Sequence, residues 1–565
     1  MTCFRKAPAA LALLLLAFGS APVFGQTPAA SLPRQMIATA HPLASQAGLE
    51  MLRRGGTAVD AAIAAALVLS VVEPHASGLG GGALMLAWDD ARGTLRSFDG
   101  VSSAPLGVGP SLLSPQEQEP ARRDFLLRSA RAAAVPGEVA LLAKAHAALG
   151  RLPWESLFTP AIEAAETGFA MPRELAIVLQ RNPKAYAAVP TLRRLYFDAD
   201  GKPLPLGTTV RNPEQAEALK RIAAQGPAAL YGGSVGEEIV MSTRGGTAPG
   251  SLAITDLSAY EAREREPLCA PVAAYRLCTA APPASGGIAL VQQLSLLQRL
   301  DYAGQRFGSL SATHLLLETS RLAAADRRRW VGDPDVVDVP AAGLVDGSYL
   351  DRRAALVSPG RALAAVEAGD PPRKHGAIRP AADPLIQAGT SHISVVDARG
   401  NAVALTVTNN LNFGARVQPM GFTLNNGLSN FAADPVAANG MAPGKRPATT
   451  MAPTIVFGPA GRPAIVAGAG GGAWIIDVVA AGLAEMLMHG AGAQTAVALP
   501  RVGAQNGGPQ VESGTALAGL LGALREMGYD AQAVPVDTGM QVIEVTADGL
   551  RGGADPRRDG IALGD

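Results

Sequence analysis

A hydroxyl residue at the start of a predicted strand is the strongest candidate for chemistry in this sequence. The stretch GTSHISVVD at 389–397 places Thr390 between a glycine and an alternating apolar run, a pattern typical of a β-strand. Turn-forming residues follow at 397–401, and residues 402–408 have strand character again. We therefore predict a hairpin with Thr390 at its leading edge.

A threonine in this position can attack the carbonyl group of Gly389 and become a new chain N-terminus. A freed N-terminal threonine combines a nucleophile with a base, because its hydroxyl attacks while its own α-amine accepts the proton. A free α-amine titrates near pH ~7.7–8.0, which suits general-base catalysis close to neutrality. Glycine followed by threonine is common before strands, so these residues alone also fit an ordinary hairpin.

The composition predicts a globular protein with a large core. The chain has 565 residues, enough for one large core or for two closely packed parts. Its 64 glycines and 43 prolines are scattered between apolar segments, which indicates tight turns rather than disorder. The formal net charge is +0, so nothing favours a nucleic-acid partner or a charged membrane surface.

Residues 1–25 resemble a secretory signal peptide. Arg5 and Lys6 precede an apolar run at 9–18 that is too short to span a bilayer, and cleavage after Gly25 fits the small-residue rule. An uncleaved anchor is the alternative. The later apolar run at 58–72 fits a core helix better than a membrane span. We therefore expect a periplasmic or secreted protein with no stable membrane span.

The cysteines leave two possibilities open. Cys3 lies in the predicted signal peptide, whereas Cys269 and Cys278 lie on two apolar segments that can form a hairpin. An oxidising compartment would allow a disulfide between them, and two buried free thiols are the alternative. No cysteine and histidine group has zinc-binding spacing. We expect neither a metal ion nor a cofactor.

The elements that must position Thr390 alternate between helices and strands. Strands are predicted at 36–40, 84–88, 454–457 and 464–468, and helices at 61–72, 138–149, 160–167, 213–225, 311–330 and 474–488. The stretch at 282–287 opens a further predicted helix that runs through residue 300. The motif TAVD at 57–60 resembles a capping box that starts the helix at 61–72. The pattern by itself predicts only mixed α and β structure in packed layers.

Several motifs in fixed order resemble the γ-glutamyltransferases, N-terminal-nucleophile hydrolases that cleave themselves into a large and a small subunit. The resemblance runs from about Met36 to Asp565 and rests on GTAVDAA at 56–62, GLGGG at 78–82, PPASGG at 282–287, DR at 326–327, GDP at 332–334, TSHISVVD at 390–397, KRP at 445–447 and DPR at 555–557. It implies an α+β fold, a four-layer αββα sandwich formed jointly by a large subunit at 26–389 and a small subunit at 390–565.

The resemblance also implies catalytic roles. Thr390 corresponds to the nucleophile, exposed by autocleavage after Gly389, and Thr408 to the threonine that supports it by hydrogen bonding. Gly471 and Gly472 correspond to the glycine pair whose backbone N–H groups form the oxyanion hole. Adjacent glycines suit that role, because fixed N–H donors stabilise developing negative charge by about 3–4 kcal/mol each.

Substrate-binding roles are implied for another set of residues. Asn410 corresponds to an asparagine that contacts the substrate's α-amino end. Thr449 and Thr450 stand where the family has paired serines that hold the substrate carboxylate, so the hydroxyl donors are kept.

Two departures affect the same end of a γ-glutamyl substrate. Val101 stands where the family has an arginine that grips the α-carboxylate, and valine cannot replace a bidentate arginine. Asn430 stands where the family has an acid that pairs with the α-ammonium, and asparagine carries no charge. Arg416 is a candidate to replace the missing arginine.

These observations lead to a first hypothesis and two alternatives. We expect a γ-glutamyltransferase-family amidohydrolase that cleaves small-molecule γ-glutamyl amides such as glutathione through a Thr390 acyl-enzyme. Because the loop at 432–444 is short compared with members that carry a lid, we expect hydrolysis to exceed transfer to an amino-acid acceptor. The alternatives are a cephalosporin- or glutaryl-type acylase with the same machinery, and a catalytically silent binding homologue.

Overall fold

Two antiparallel β-sheets face each other in the middle of the molecule. The computed structural model describes Met1 and residues 32–373, 379–381, 389–505 and 508–565. Apart from Met1, the predicted signal peptide at 1–25 lies outside these residues. Each sheet is covered on its outer side by helices.

Sheet I has seven strands and contains the predicted hairpin at its centre. Their order across the sheet is Ile561–Gly564, Met36–Thr39, Ser391–Val396, Ala402–Thr408, Gly82–Asp89, Thr94–Gly100 and Arg263–Arg265. In the hairpin Ser391 lies opposite Val407 and Val396 opposite Ala402. Thr390 therefore directly precedes a central strand of the sheet, which has a partner strand on each side.

Sheet II has six strands and contains the two cysteines. Their order is Gly549–Ala554, Gly539–Thr546, Pro463–Gly470, Thr454–Phe457, Tyr275–Thr279 and Leu268–Val272. Cys269 and Cys278 are direct cross-strand partners and are joined by a disulfide. Of the two possibilities left open by the sequence, the structure has the disulfide.

The layers explain the burial pattern of the sequence. Sheet I is covered by Pro42–Arg53, Ala58–Val72 and Glu138–Leu149, and sheet II by Ser285–Arg299, Trp474–His489 and Ala493–Ala498. Between the sheets lies an apolar cluster that includes Trp88, Phe457 and Val466. The predicted four-layer αββα architecture is confirmed, because each sheet buries one face against the other sheet and one against helices.

The remaining elements lie around these layers. The other α-helices of the described residues are Pro120–Leu127, Thr159–Thr167, Arg173–Arg181, Pro183–Ala187, Pro190–Tyr196, Pro213–Gln225, Ala228–Tyr231, Ser234–Arg244, Ile254–Ser258, Leu310–Trp330, Ala341–Leu344, Gly347–Ala354 and Leu521–Glu526. Short strands pair at Phe169–Ala170 with Thr209–Val210, and at Val502–Gly503, Gln510–Glu512 and Gln532–Val534. None of the described helices combines the length and the apolar character that a membrane span requires.

The helix Ala58–Val72 connects the sequence pattern to the site. Its N-terminus has the predicted capping box, in which the Thr57 N–H donates to Asp60 Oδ2 at 2.8 Å and the Asp60 N–H donates to Thr57 Oγ1 at 3.3 Å. All of its residues are buried, as expected for a helix that is apolar on every side. It ends at Glu73, beside the first residue of the strand Ser391–Val396.

Candidate active site

Thr390 is buried and its hydroxyl lies against the carbonyl that precedes it. Thr390 is only 3% exposed, and its Oγ1 donates to the carbonyl oxygen of Gly389. This hydroxyl is therefore adjacent to the Gly389–Thr390 peptide bond. The arrangement can support attack on that bond.

Thr408 provides a second hydroxyl at the same carbonyl. Its Oγ1 lies 3.0 Å from Thr390 Oγ1 and donates to the Gly389 carbonyl oxygen at 2.7 Å. The N–H of Asn410 donates to Thr408 Oγ1 at 2.9 Å. The Asn410 N–H can only donate, so it uses a lone pair of Thr408 Oγ1 and does not accept the Thr408 hydroxyl proton. That proton is therefore available for the Gly389 carbonyl oxygen. Thr408 can thus polarise the bond that Thr390 would attack.

The position before Thr390 requires glycine. Gly389 has φ +98°, a left-handed conformation that favours glycine. A Cβ atom there would lie 2.7 Å from the carbonyl oxygen of Asn410. Glycine therefore lets the chain pass close enough to bring its carbonyl to both hydroxyls.

The end of a sheet II strand lies directly against Thr390. A Cβ atom on Gly470 would come within 2.0 Å of the Thr390 carbonyl oxygen. Gly471 and Gly472 follow with φ +121° and +64°, and the Thr450 hydroxyl donates to the Gly472 carbonyl oxygen at 2.9 Å. The turn leads into the helix Trp474–His489. Successive N–H groups in such a glycine turn can bind an oxyanion.

The motif PPASGG at 282–287 positions the threonine pair. The Thr449 carbonyl oxygen accepts from the Gly286 N–H at 3.1 Å and from the Ser285 hydroxyl at 2.9 Å. A Cβ atom on Gly286 would lie 2.2 Å from the Thr450 carbonyl oxygen. The motif therefore acts through close backbone approach. Within the described part of the chain, the one hydrogen bond of the Thr449 hydroxyl is that accepted from the Met451 N–H at 3.3 Å.

The glycine loop GLGGG at 78–82 supports the other side of the site. A Cβ atom on Gly81 would lie 2.5 Å from the Thr408 carbonyl oxygen. The Gly80 carbonyl oxygen accepts from the side chain of Asn425 at 2.7 Å. This loop therefore sets the spacing between the strand that carries Thr408 and the turn that carries Asn430.

Asn410 and Asn430 meet, and each keeps one unused polar atom. Asn430 Nδ2 donates to Asn410 Oδ1 at 2.6 Å. Both residues are buried, yet Asn410 Nδ2 and Asn430 Oδ1 have no hydrogen-bond partner among the residues that the structure describes. The pair thus offers a ligand one donor and one acceptor without any charge.

Val101 belongs to an apolar cluster rather than to a polar binding surface. It packs with Leu84, Ala280, Ala284 and Met451. Its backbone is held by Asp99 Oδ1, which accepts from the Val101 N–H at 2.9 Å, and by the Tyr260 hydroxyl, which donates to the Val101 carbonyl oxygen at 2.8 Å. The valine therefore has a packing role of its own.

The nearby arginines have other contacts. Arg446 forms an ion pair with Asp99 at 2.6 Å and donates to the Glu261 carbonyl oxygen at 2.6 Å. Arg416, the predicted replacement for the missing arginine, lies over the ring of Tyr186 at 5.3 Å. Burial, together with the neighbouring Arg128, lowers the pKa of Arg416. Arg416 forms no hydrogen bond with Asn410 or Asn430 in the described part of the chain, and its role as a replacement stays a prediction.

The structure therefore gathers the predicted residues into two groups that meet at Thr390. One contains Gly389, Thr408, Asn410 and Asn430, and the other contains Thr449, Thr450, Gly471 and Gly472. Sequence reasoning missed Gly470 and Glu73 as parts of this site. A run of three glycines and a lone acid at the end of an apolar helix were the only signals available.

Comparison with known proteins agrees with this arrangement. The family model described as gamma-glutamyltranspeptidase matches residues 44–565. The chain belongs to this family. It is accordingly an enzyme of the hydrolase and acyltransferase class, and its fold is that of the N-terminal-nucleophile hydrolases.

Curated relatives of this gamma-glutamyltranspeptidase-family chain carry two kinds of name. The glutathione hydrolase proenzyme of Bacillus subtilis (strain 168) is 32% identical, with 94% of this chain and 91% of that protein covered. The acylase ACY 1 proenzyme of Pseudomonas sp. (strain SE83) is 35% identical, with 94% of each covered. Among solved structures, cephalosporin acylase from Bacillus halodurans superposes with a TM-score of 0.80 and 26% identity, covering 97% of this chain and 99% of that one.

Proposed function

We propose that this chain is an autoprocessed amidohydrolase that uses Thr390 as its nucleophile. The observation that carries the proposal is the convergence of the Thr390 and Thr408 hydroxyls on the carbonyl oxygen of Gly389. An ordinary hairpin does not require two buried hydroxyls at one carbonyl group. Relatives named as proenzymes support the same conclusion.

Autocleavage would proceed through an ester. Thr390 Oγ1 attacks the Gly389 carbonyl carbon, the C–N bond breaks, and the acyl group moves from nitrogen to oxygen. Water then hydrolyses the ester and regenerates the hydroxyl. The products are a large subunit at 26–389 and a small subunit at 390–565, and the second begins with a free Thr390 α-amine.

Turnover would use the same atoms on a substrate amide. Thr390 Oγ1 attacks the substrate carbonyl carbon while its α-amine takes the proton and passes it to the leaving amine. The N–H groups of Gly471 and Gly472 bind the oxyanion, which is worth about 3–4 kcal/mol per donor. Water hydrolyses the acyl-enzyme and completes the cycle.

The proposed recognition end of the site, which contains Asn410, Asn430 and Thr449, favours an acyl group that lacks an α-ammonium. A γ-glutamyl group carries an ammonium and a carboxylate, whereas a glutaryl group has the carboxylate alone. Asn430 offers no negative charge for an ammonium, while the Thr449 hydroxyl and the unused Asn410 Nδ2 remain as donors for a carboxylate. We therefore place glutaryl-type acyl amides first.

Hydrolysis of γ-glutamyl amides such as glutathione is the second candidate. It is favoured by the relatives named glutathione hydrolase, which match this chain over similar lengths. For both substrates we expect hydrolysis to exceed transfer. The loop at 432–444 is short and pinned, since Asn439 Nδ2 donates to the Asn430 carbonyl oxygen at 2.7 Å and Lys445 Nζ donates to the Gly440 carbonyl oxygen at 2.8 Å.

The place of action is part of the proposal. The signal-like pattern at 1–25 supports export to the periplasm or the medium. The Cys269–Cys278 disulfide is consistent with an oxidising compartment.

The mass of the purified exported protein under denaturing conditions tests the mechanism. Two species matching 26–389 and 390–565 are expected, and Thr390→Ala should give one uncleaved species with no turnover. Thr390→Ser is the matched control and should still be cleaved. Cleavage or full activity in Thr390→Ala would overturn the mechanism. Comparing kcat/KM for glutaryl- and γ-glutamyl-p-nitroanilide then ranks the two substrate classes.

A further inference from the structure

Glu73 is joined directly to the residue that follows the nucleophile. Along the strand Ser391–Val396 the side chains alternate, so His392 and Ser394 face sheet II whereas Ser391 faces the helix Ala58–Val72. There the Ser391 hydroxyl donates to Glu73 Oε2 at 2.5 Å. Both side chains are buried. This contact joins positions that are 318 residues apart in the chain.

The backbone beyond Glu73 holds the opposite side of the site. The Ala76 carbonyl oxygen accepts from the Asn409 N–H at 2.9 Å, and the His75 carbonyl oxygen accepts from the Phe413 N–H at 3.0 Å. Asn409 directly follows Thr408. Residues 73–76 therefore contact the chain next to both hydroxyls that converge on the Gly389 carbonyl group.

A carboxylate at this position is costly unless a cation balances it. Glu73 is the C-cap of its helix, at the end where the helix dipole is negative and disfavours an anion. Burial raises the pKa of Glu73, while Arg558 and the Ser391 hydrogen bond lower it. Arg558 is itself buried, with Nη1 3.9 Å from Glu73 Oε1. Such an arrangement indicates a specific role, because an apolar side chain would cap this buried helix end without the cost.

The side chain of Arg558 also connects to the glycine turn at 470–472, which is proposed to bind the oxyanion. Arg558 packs against Gly539, where a Cβ atom would lie 2.7 Å from Arg558 Cγ. Thr538, the preceding residue, lies against Gly471, where a Cβ atom would come within 2.6 Å of Thr538 Cγ2. Glu73 and Arg558 thus link the strand Ser391–Val396 to Gly471, through Gly539 and Thr538.

We infer that Glu73 is a positioning residue that holds the nucleophile in place once Thr390 has become a chain end. Autocleavage removes the covalent constraint through Gly389 and leaves Thr390 free on one side. Glu73 lies in the large subunit and Ser391 in the small one, so their hydrogen bond joins the two subunits one residue from the reacting hydroxyl. This inference rests on the proposed function.

Single hydroxyl deletions on one strand give the sharpest test. Ser391→Ala removes the hydrogen bond to Glu73 and leaves the Glu73–Arg558 pair in place. Because misplacing a nucleophile by about 1 Å can cost on the order of 100-fold, we expect kcat for glutaryl- and γ-glutamyl-p-nitroanilide to fall by about tenfold or more. KM should change by less than about twofold, since the acyl-binding residues are untouched.

The control variants separate positioning from general damage. Ser391→Thr keeps the hydroxyl, so its kcat should stay within about threefold of wild type, in contrast to the loss of about tenfold or more expected for Ser391→Ala. Ser394→Ala deletes an equally buried hydroxyl on the same strand, one that contacts the Val466 and Gln541 carbonyl oxygens, and should leave kcat nearly unchanged. Equal losses in Ser391→Ala and Ser394→Ala, or a change confined to KM, would overturn the inference.

A second pair of variants tests Glu73 and keeps the inference separate from the proposed function. Glu73→Gln should speed hydrogen exchange at the start of the strand Ser391–Val396 in the uncleaved Thr390→Ala chain. Glu318→Gln, which removes a buried carboxylate paired with Arg321, should not. If wild type is neither cleaved nor active, the proposed function fails. The exchange experiment still tests whether Glu73 holds the start of the strand Ser391–Val396 in place. Unchanged exchange in Glu73→Gln would refute it.

Discussion

At the proposed nucleophile end of the site, backbone contacts leave almost no freedom, whereas at the proposed recognition end side chains make the polar contacts. Added Cβ atoms on Gly389, Gly470 and Gly81 would lie 2.7, 2.0 and 2.5 Å from backbone oxygens. By contrast, Asn410 and Asn430 contact each other through their amides and keep unused polar atoms.

This difference explains how recognition can change while the chemistry stays. Backbone atoms that touch each other cannot be altered by one substitution without moving a strand. A side-chain amide can replace a carboxylate at a similar size without altering the fold, and the family resemblance implies this replacement at Asn430. We therefore expect substitutions at the nucleophile end to abolish function and those at the recognition end to redirect it.

Among variants that keep Thr390, the largest effect is expected from Gly471→Ala. Its φ of +121° is unfavourable for alanine, and the new Cβ would lie 2.6 Å from Thr538 Cγ2. Displacing an oxyanion donor should lower kcat by about 10²- to 10³-fold. Gly461→Ala is the matched control, since Gly461 also has a positive φ of +73° but open space around it. A decrease in kcat of less than tenfold for Gly471→Ala, measured by steady-state kinetics, would contradict the view that the nucleophile end is rigid.

A smaller effect is expected from Thr408→Val, which keeps the shape and removes the hydroxyl. The Gly389 carbonyl oxygen then loses the donor at 2.7 Å, so autocleavage should slow by about 10- to 100-fold. The time course of uncleaved mass after purification measures this rate. Thr408→Ser should cleave at a rate close to wild type. Normal cleavage in Thr408→Val would show that Thr390 alone suffices.

At the recognition end, Asn430→Asp should redirect rather than abolish activity. A carboxylate beside Asn410 can pair with a substrate ammonium, so the ratio of kcat/KM for γ-glutamyl- over glutaryl-p-nitroanilide should rise by about tenfold. Asn430→Ala removes the amide without adding charge and should not raise that ratio. If Asn430→Asp lowers kcat/KM equally for both substrates, the recognition end is as rigid as the nucleophile end.

The smallest effect on activity is expected from Asp477→Asn, one turn beyond the glycines. Burial raises the pKa of Asp477 from 3.8 to about 6. Because the folded state then holds a proton that the unfolded state has lost, stability falls as the pH rises from about 4 to 6, by about 3 kcal/mol at most.

Asp477→Asn removes this dependence. Denaturant unfolding at pH 4 and at pH 6.5 should therefore show a weaker fall in unfolding free energy for the variant than for wild type. Asp548→Asn changes an exposed carboxylate and should follow wild type. The same slope in Asp477→Asn and wild type would mean that Asp477 does not titrate as its burial requires.

Much of the fold was readable from local pattern. The apolar run with TAVD before it predicted the helix Ala58–Val72, and alternation around a turn predicted the strands Ser391–Val396 and Ala402–Thr408. These features depend on capping, turn chemistry and periodicity, which act over a few residues. The four layers and the roles at the site came from resemblance to a family, since no periodicity encodes which sheets face each other.

The sequence alone therefore determined the nucleophile candidate, the glycines beside it and the neutral residues at 101 and 430. Only the tertiary structure decided that Glu73 meets Ser391, that Gly470 lies on the Thr390 carbonyl oxygen, and that Val101 belongs to an apolar cluster. Such contacts join residues that are distant in the chain. They depend on strand register and on how the layers pack, and neither leaves a local trace in the sequence.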